Sequence, residues 1–253
     1  MNKTAKNSVV YLCGTIIMAI LGFASTMLLT RILSTQVYAM YGLLSTFCTA
    51  VTMLISFGYD SSYTRFYYNH GYTQKKFMMK CLKVPLILFI IFSVIVLEPS
   101  HSLINYIFES NLSIFAIFIL LCYILFFFLQ RFTQMTARME ERAINYIVSN
   151  LIAKSGFIVF IFISYVLWKN VTFEIVILPF ALSSLIAILI NILVFVKVAN
   201  HVSLSEIDSK GNTVSDRELI QYGFPYMIND VLILVIPVIE KLIIRDLAGW
   251  NIL

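Results

Sequence analysis

Seven apolar stretches follow one another along the chain, most of them uncharged and close to twenty residues long. They run Ser8–Thr30, Val37–Tyr59, Val84–Leu97 (extended backwards by Cys81 and Leu82), Leu112–Leu129, Ile144–Trp168, Ile175–Val196, and from Leu219 to about Leu247. A helix needs roughly 20 mostly apolar residues to cross a hydrocarbon core about 30 Å thick, at about 1.5 Å per residue. The runs are continuous rather than alternating, which excludes a transmembrane β-barrel. Composition agrees: 60% of the 253 residues are hydrophobic and only 12% are charged, about half the charge a water-soluble globule carries. The expected fold class is all-α, a polytopic transmembrane helical bundle of about seven helices. The first run is too long for a signal h-region, lacks a small-x-small cleavage site and is followed by further spans, so it reads as a permanent helix.

Lys and Arg set the orientation. Thirteen of the 18 lie in the N-terminal tail and in alternate connections: Lys3 and Lys6; Arg65, Lys75, Lys76, Lys80 and Lys83; Arg131, Arg138 and Arg142; Lys197, Lys210 and Arg217. The intervening connections hold Arg31, none in 98–111, and Lys169. The expectation is a multi-pass protein with its N-terminus in the cytoplasm and, after seven spans, its C-terminus outside. The net charge of +5 is therefore a topology signal, and no aromatic-interleaved basic surface supports binding to nucleic acid.

The connections are short, so function has to reside among the helices. Cys13, Cys48, Cys81 and Cys122 are isolated and read as small hydrophobes, with no metal or cofactor expected. The sequons Asn111-Leu-Ser113 and Asn170-Val-Thr172 are short enough to be accidental. Glu98, Glu109 and His101 form no metal arrangement. There is no G-x-S-x-G, H-E-x-x-H or phosphate-binding glycine loop, so no catalytic residue is assigned and the chain is not read as an enzyme.

Ionisable groups inside a span are costly and usually face a cavity or a partner. Lys154 lies ten residues into the fifth run, about 15 Å deep and near the midplane. With Tyr146 and Asn150 it makes one polar helix face at i, i+4, i+8 spacing. The seventh run carries Asn229 and Asp230 after Gly223-Phe-Pro225, and Pro225 and Pro237 predict a kinked or broken helix. A Lys154–Asp230 pair would satisfy both charges. Arg31 closes the first run, Asp60 and Arg65 the second, and Glu240, Lys241, Arg245 and Asp246 sit near the outer end of the seventh. These read equally well as interfacial anchors or functional groups.

Four short motifs, Arg31–Gly42, Phe57–Tyr67, Glu218–Pro225 and Glu240–Ile244, resemble those of the Wzx-type polysaccharide flippases, within the multidrug/oligosaccharidyl-lipid/polysaccharide exporter superfamily. Arg31-Ile-Leu-Ser-Thr-Gln-Val-Tyr-Ala-Met-Tyr-Gly42 is similar to the turn between their first two helices. Phe57-Gly-Tyr-Asp-Ser-Ser-Tyr-Thr-Arg-Phe-Tyr67 is similar to the exit of the second helix, and Glu218-Leu-Ile-Gln-Tyr-Gly-Phe-Pro225 to the start of the seventh. Glu240-Lys241-Leu-Ile-Ile stands where the family usually has Asp-Arg, and a lysine lacks arginine's bidentate geometry. The resemblance implies about twelve to fourteen helices in two lobes, of which this chain is the N-terminal portion. The expected organisation is a six-helix transmembrane lobe over 1–200, a cytoplasmic linker over 201–218, and over 219–253 a seventh helix that begins a truncated second lobe.

The resemblance further implies a transporter of the bacterial plasma membrane. It would carry polyprenyl-pyrophosphate-linked oligosaccharide to the outer leaflet by alternating access, for surface polysaccharides such as O-antigen. Lys154, Arg31, Asn150 and Tyr146 would bind substrate, and Asp230 and Asn229 would be a coupling-ion or cavity site. Asp60, Arg65, Glu240 and Lys241 are helix-end charges open to a functional role. Partners would be the lipid-linked oligosaccharide, membrane lipids, and a polysaccharide polymerase or a second lobe. Rival readings are a drug/cation antiporter of the same superfamily, an inactive truncated remnant, or a lipid-sugar ligase or polymerase.

Overall fold

The structure, a computed structural model, describes residues 3–68, 74–97, 102–109, 112–169, 171–199 and 214–248. Among the described residues the chain is helical, with no strand. The elements are α1 (Lys3–Ile32), α2 (Thr35–Ser56), α3 (Tyr59–Phe66), α4 (Gln74–Val96), α5 (Ser102–Phe108), α6 (Ile114–Met139), α7 (Ala143–Trp168), α8 (Phe173–Ala199) and α9 (Asp216–Ala248). The expected all-α polytopic bundle is what the chain forms. Six of these helices are long and apolar enough to cross a membrane: α1, α2, α4, α6, α7 and α8. The sequon asparagines Asn111 and Asn170, the groups Glu98 and His101, and linker residues 201–213 lie outside the described residues.

Local chemistry sets the boundaries. Ser34 and Ser113 cap α2 and α6, their hydroxyls accepting the N–H of Val37 and Ala116, which satisfies donors that helix ends leave open. The second apolar run does not reach Tyr59 as a single helix. Phe57 and Gly58 both take left-handed backbone, at φ 49° and 72°, and the chain turns there into α3. A short helix α5 likewise fills part of a connection that hydropathy reads as loop.

Helix α9 is not broken: it continues past Pro225 and Pro237 as one element. Each proline removes one backbone donor, and the helix accommodates both without breaking.

Helices α6, α7 and α8 pack side by side, α2 lies against α6 and α8, α1 rides on α7, and α9 runs along α2 and α3. α2 is the enclosed helix and α1 the peripheral one: 61% and 11% of their apolar windows are buried. α1 approaches α7 closely because Gly14 lacks a side chain; a Cβ there would stand 2.5 Å from Ile147. Three apolar clusters hold the bundle. One occupies its middle, between α2, α5, α6 and α8. A second, rich in tyrosine, joins α3, α4 and α6 at the basic end, where α1 begins. The third joins α2, α7 and α8 to the end of α1.

Candidate functional site

The best-defined polar constellation lies where α3 starts. The turn at Phe57–Gly58 delivers Asp60 into the first turn of α3, where a carboxylate suits the helix dipole. Asp60 is buried, with its side chain 3% exposed, and pairs with Arg131 of α6 at 2.8 Å. Its other oxygen accepts the Ser61 N–H at 2.9 Å and the Ser56 hydroxyl at 3.2 Å. Arg131 also touches the Met53 sulfur.

Helix α9 closes over this pair. Gly58 and Gly223 meet backbone to backbone, so that a Cβ on Gly58 would overlap the Gly223 carbonyl oxygen. The Ser62 hydroxyl donates to the Leu219 carbonyl at 2.6 Å. Asp230 is seven residues beyond Gly223, two turns along the same helix face, and is partly buried.

The polar face of α7 divides between two neighbours. Lys154 is exposed and donates to the Met18 carbonyl of α1 at 3.3 Å, beside Gly22. The Tyr146 ring meets the Tyr11 ring of α1 at 5.8 Å, tilted by 60°, and lies under the Arg138 guanidinium at 4.3 Å. Asn150 turns instead to α6, accepting from Gln134 at 3.2 Å. Next to it Asn191 of α8 donates to Ser149 at 2.7 Å and to Thr133 at 3.2 Å, making a neutral polar node across three helices. Lys154 and Asp230 form no ion pair among the described residues; the Lys154 amine turns to α1 instead.

The remaining predicted residues are dispersed. Arg31 is an exposed last-turn cation of α1, which suits the helix C-terminus. Arg65, Asn229 and Glu240 are exposed. Lys241 reaches from α9 to α2, donating to the Gly42 carbonyl at 2.8 Å and to the Thr46 hydroxyl. Arg245 is buried, donates to the Tyr106 carbonyl at 2.8 Å and pairs with Glu109 at 3.2 Å. At the basic end, burial and the adjacent Glu140 carboxylate push the Tyr67 hydroxyl above its ordinary pKa.

Sequence reasoning counts Arg131 only as a topology signal and passes over Thr133, Gln134, Ser149 and Asn191. A signal is present: from Gln130 the apolar run of α6 gives way to a polar residue at nearly every turn.

The sequence matches the polysaccharide biosynthesis protein family over residues 4–253. The chain belongs to that family. Membership makes it a membrane protein of polysaccharide biosynthesis and supports a flippase or exporter role in general. No curated relative and no solved structure gives a significant match.

Proposed function

We propose that this family member moves a lipid-linked oligosaccharide, carried on polyprenyl pyrophosphate, from the cytoplasmic to the outer leaflet of the bacterial plasma membrane. On this reading residues 1–200 are the first lobe of a two-lobe transporter, 201–218 a linker, and 219–253 the opening helix of the second lobe. The N-terminus is cytoplasmic, and no covalent step is required. The observation that carries the reading is Lys154. Its amine lies about 16 Å along α7, exposed, with no carboxylate partner among the described residues.

A cation held at that depth costs a few kcal/mol. Pairing with a pyrophosphate offsets the desolvation of both groups, whereas a cationic substrate would be repelled by it. Arg31, Tyr146 and Asn150 are assigned supporting contacts to the head group, and Asp230 with Asn229 the coupling-ion role.

The test is surface polysaccharide in a host that depends on this protein. Lys154→Arg is expected to retain it, and Lys154→Ala to lower the rate of export about tenfold or more, the effect of about 1.4 kcal/mol. Lys154→Glu is expected to abolish it. Undiminished polysaccharide with Lys154→Glu sinks the anion-carrying role.

A further inference from the structure

Helix α4 carries three lysines on the side that faces away from the protein. Lys76, Lys80 and Lys83 follow one another at i, i+4 and i+7, which puts them on one helix face. The same face continues through Ile87, Ile90 and Val94, which are 48%, 60% and 68% exposed. Phe77, Cys81 and Pro85 lie on the opposite side and are buried, the first two in the tyrosine-rich cluster. In a helix that spans a bilayer, isoleucines of such a face meet acyl chains, so the lysines that precede them meet headgroups. The charge rule for topology asks only that basic residues flank a span. It does not ask that three of them share its lipid-facing stripe over about 10 Å.

The three amines differ in their partners. Lys80 is partly buried, donates to the Val214 carbonyl at 2.6 Å and pairs with Asp216 at 3.2 Å. Lys76 and Lys83 are exposed and take no carboxylate partner among the described residues. The stripe therefore keeps two uncompensated charges where hydrocarbon gives way to headgroups. Side chains on a helix lean towards its N-terminus, which for α4 is the basic end. Lys83 therefore leans back towards Lys76 and the headgroup layer, its stem covered by apolar surface. Helix α4 packs against α2 and α3, whereas Lys154 turns to α1, so the stripe is separate from that amine.

We propose that the Lys76–Lys80–Lys83 face of α4 binds an anionic phospholipid of the surrounding leaflet. Its phosphate sits at the lysines and its acyl chains run over Ile87, Ile90 and Val94. Charge and apolar surface together choose this occupant. A free phosphate has nothing to lay on the isoleucines, and a zwitterionic phospholipid brings its own cation to two amines that lack an anion. Each lysine near a phospholipid headgroup contributes about fivefold in affinity. The proposal needs a bilayer but no transport step.

The experiment uses the full chain in vesicles of phosphatidylcholine and phosphatidylglycerol, with Trp168→Phe and Trp250→Phe and with Ile87→Trp as reporter. Quenching by brominated phosphatidylglycerol or brominated phosphatidylcholine, each at rising mole fraction, gives their relative affinity beside α4. Ile16→Trp on α1, where the native side chain is 52% exposed, reports from a position away from the stripe. Phosphatidylglycerol is expected to be favoured about fivefold or more at position 87 and not at position 16. Lys76→Gln with Lys83→Gln is expected to abolish the preference, and Lys76→Arg with Lys83→Arg to keep it. The proposal is overturned if the two lipids quench equally at position 87, or if the preference survives the double glutamine variant. It is also overturned if position 16 shows the same preference, which marks general attraction to a basic protein. Polyprenyl phosphate that displaces brominated phosphatidylglycerol from position 87 better than unlabelled phosphatidylglycerol does overturns it too, because the stripe is then a site for the polyprenyl carrier.

Discussion

A buried carboxylate is tolerated only where its charge is met, and Asp60 shows how closely that requirement binds single residues. Arg131→Met strips the counter-charge from a carboxylate that is 3% exposed, a change expected to cost about 3–5 kcal/mol. Asp60→Asn combined with Arg131→Met removes both charges and is expected to be milder than Arg131→Met alone. Thermal unfolding in detergent checks the order, and a double variant weaker than the single removes the pair as a stabilising unit. Gly58 answers to a different constraint. Its φ of 72° and its contact with the Gly223 carbonyl both exclude a side chain. Gly58→Ala is therefore expected to destabilise by about 2 kcal/mol or more through backbone strain and overpacking. Gly22→Ala, whose Cβ meets only the Lys154 amine at 3.8 Å, serves as the neutral comparison in the same assay.

At the scale of elements, the apolar runs foretell every long helix, since a bilayer forces any such stretch to satisfy its backbone internally. Hydropathy is blind to elements that do not cross: α3 and α5 are too short to leave an apolar signature, and the split at Phe57–Gly58 is a matter of backbone sign. The unbroken α9 escapes the sequence because proline's local cost, weighed alone, omits the many backbone hydrogen bonds that hold the helix on either side of it. Site residues are legible where a single helix carries them, as Tyr146, Asn150 and Lys154 show. They are illegible where partners come from afar, as with Asp60 and Arg131, 71 positions apart. Helix α1 shows how one element's attachment depends on few contacts. It rides on α7 through Asn7 on the Glu141 carbonyl, Tyr11 on Tyr146, Gly14 on Ile147 and Met18 on Lys154. Gly14→Phe is expected to push α1 off α7 and lower stability by about 1–3 kcal/mol. Gly14→Ala costs less, because Ile147 can rotate away from a single methyl. Equal losses from the two variants in thermal unfolding mean that this contact does not set the spacing.

For the whole molecule, the decisive asymmetry is electrostatic. The connections at the end where α1 begins hold most of the basic residues, and those at the other end hold Arg31 and Lys169. Lysine and arginine near helix ends resist translocation, so that end is expected to stay in the cytoplasm. The packing is consistent with a single insertion: Tyr67 and Tyr68 after α3 bond Glu140 and Met139 at the end of α6, so the end of α3 and the α6–α7 turn lie together. Phosphatase fusions, active only on the outer side, are expected to be active after Glu109 and Lys169 and inactive after Tyr68 and Arg142. The opposite pattern reverses the topology. In that case Arg131 and Asp60 would stand at the outer end of the bundle. A mixed pattern at Lys169 alone has a narrower meaning. The α7–α8 turn is a single short connection, and Lys169 is its one basic residue. Lys169→Gln is then expected to restore activity of that fusion if local charge caused the mixture. If it does not, local charge at this turn is not what mixes the pattern.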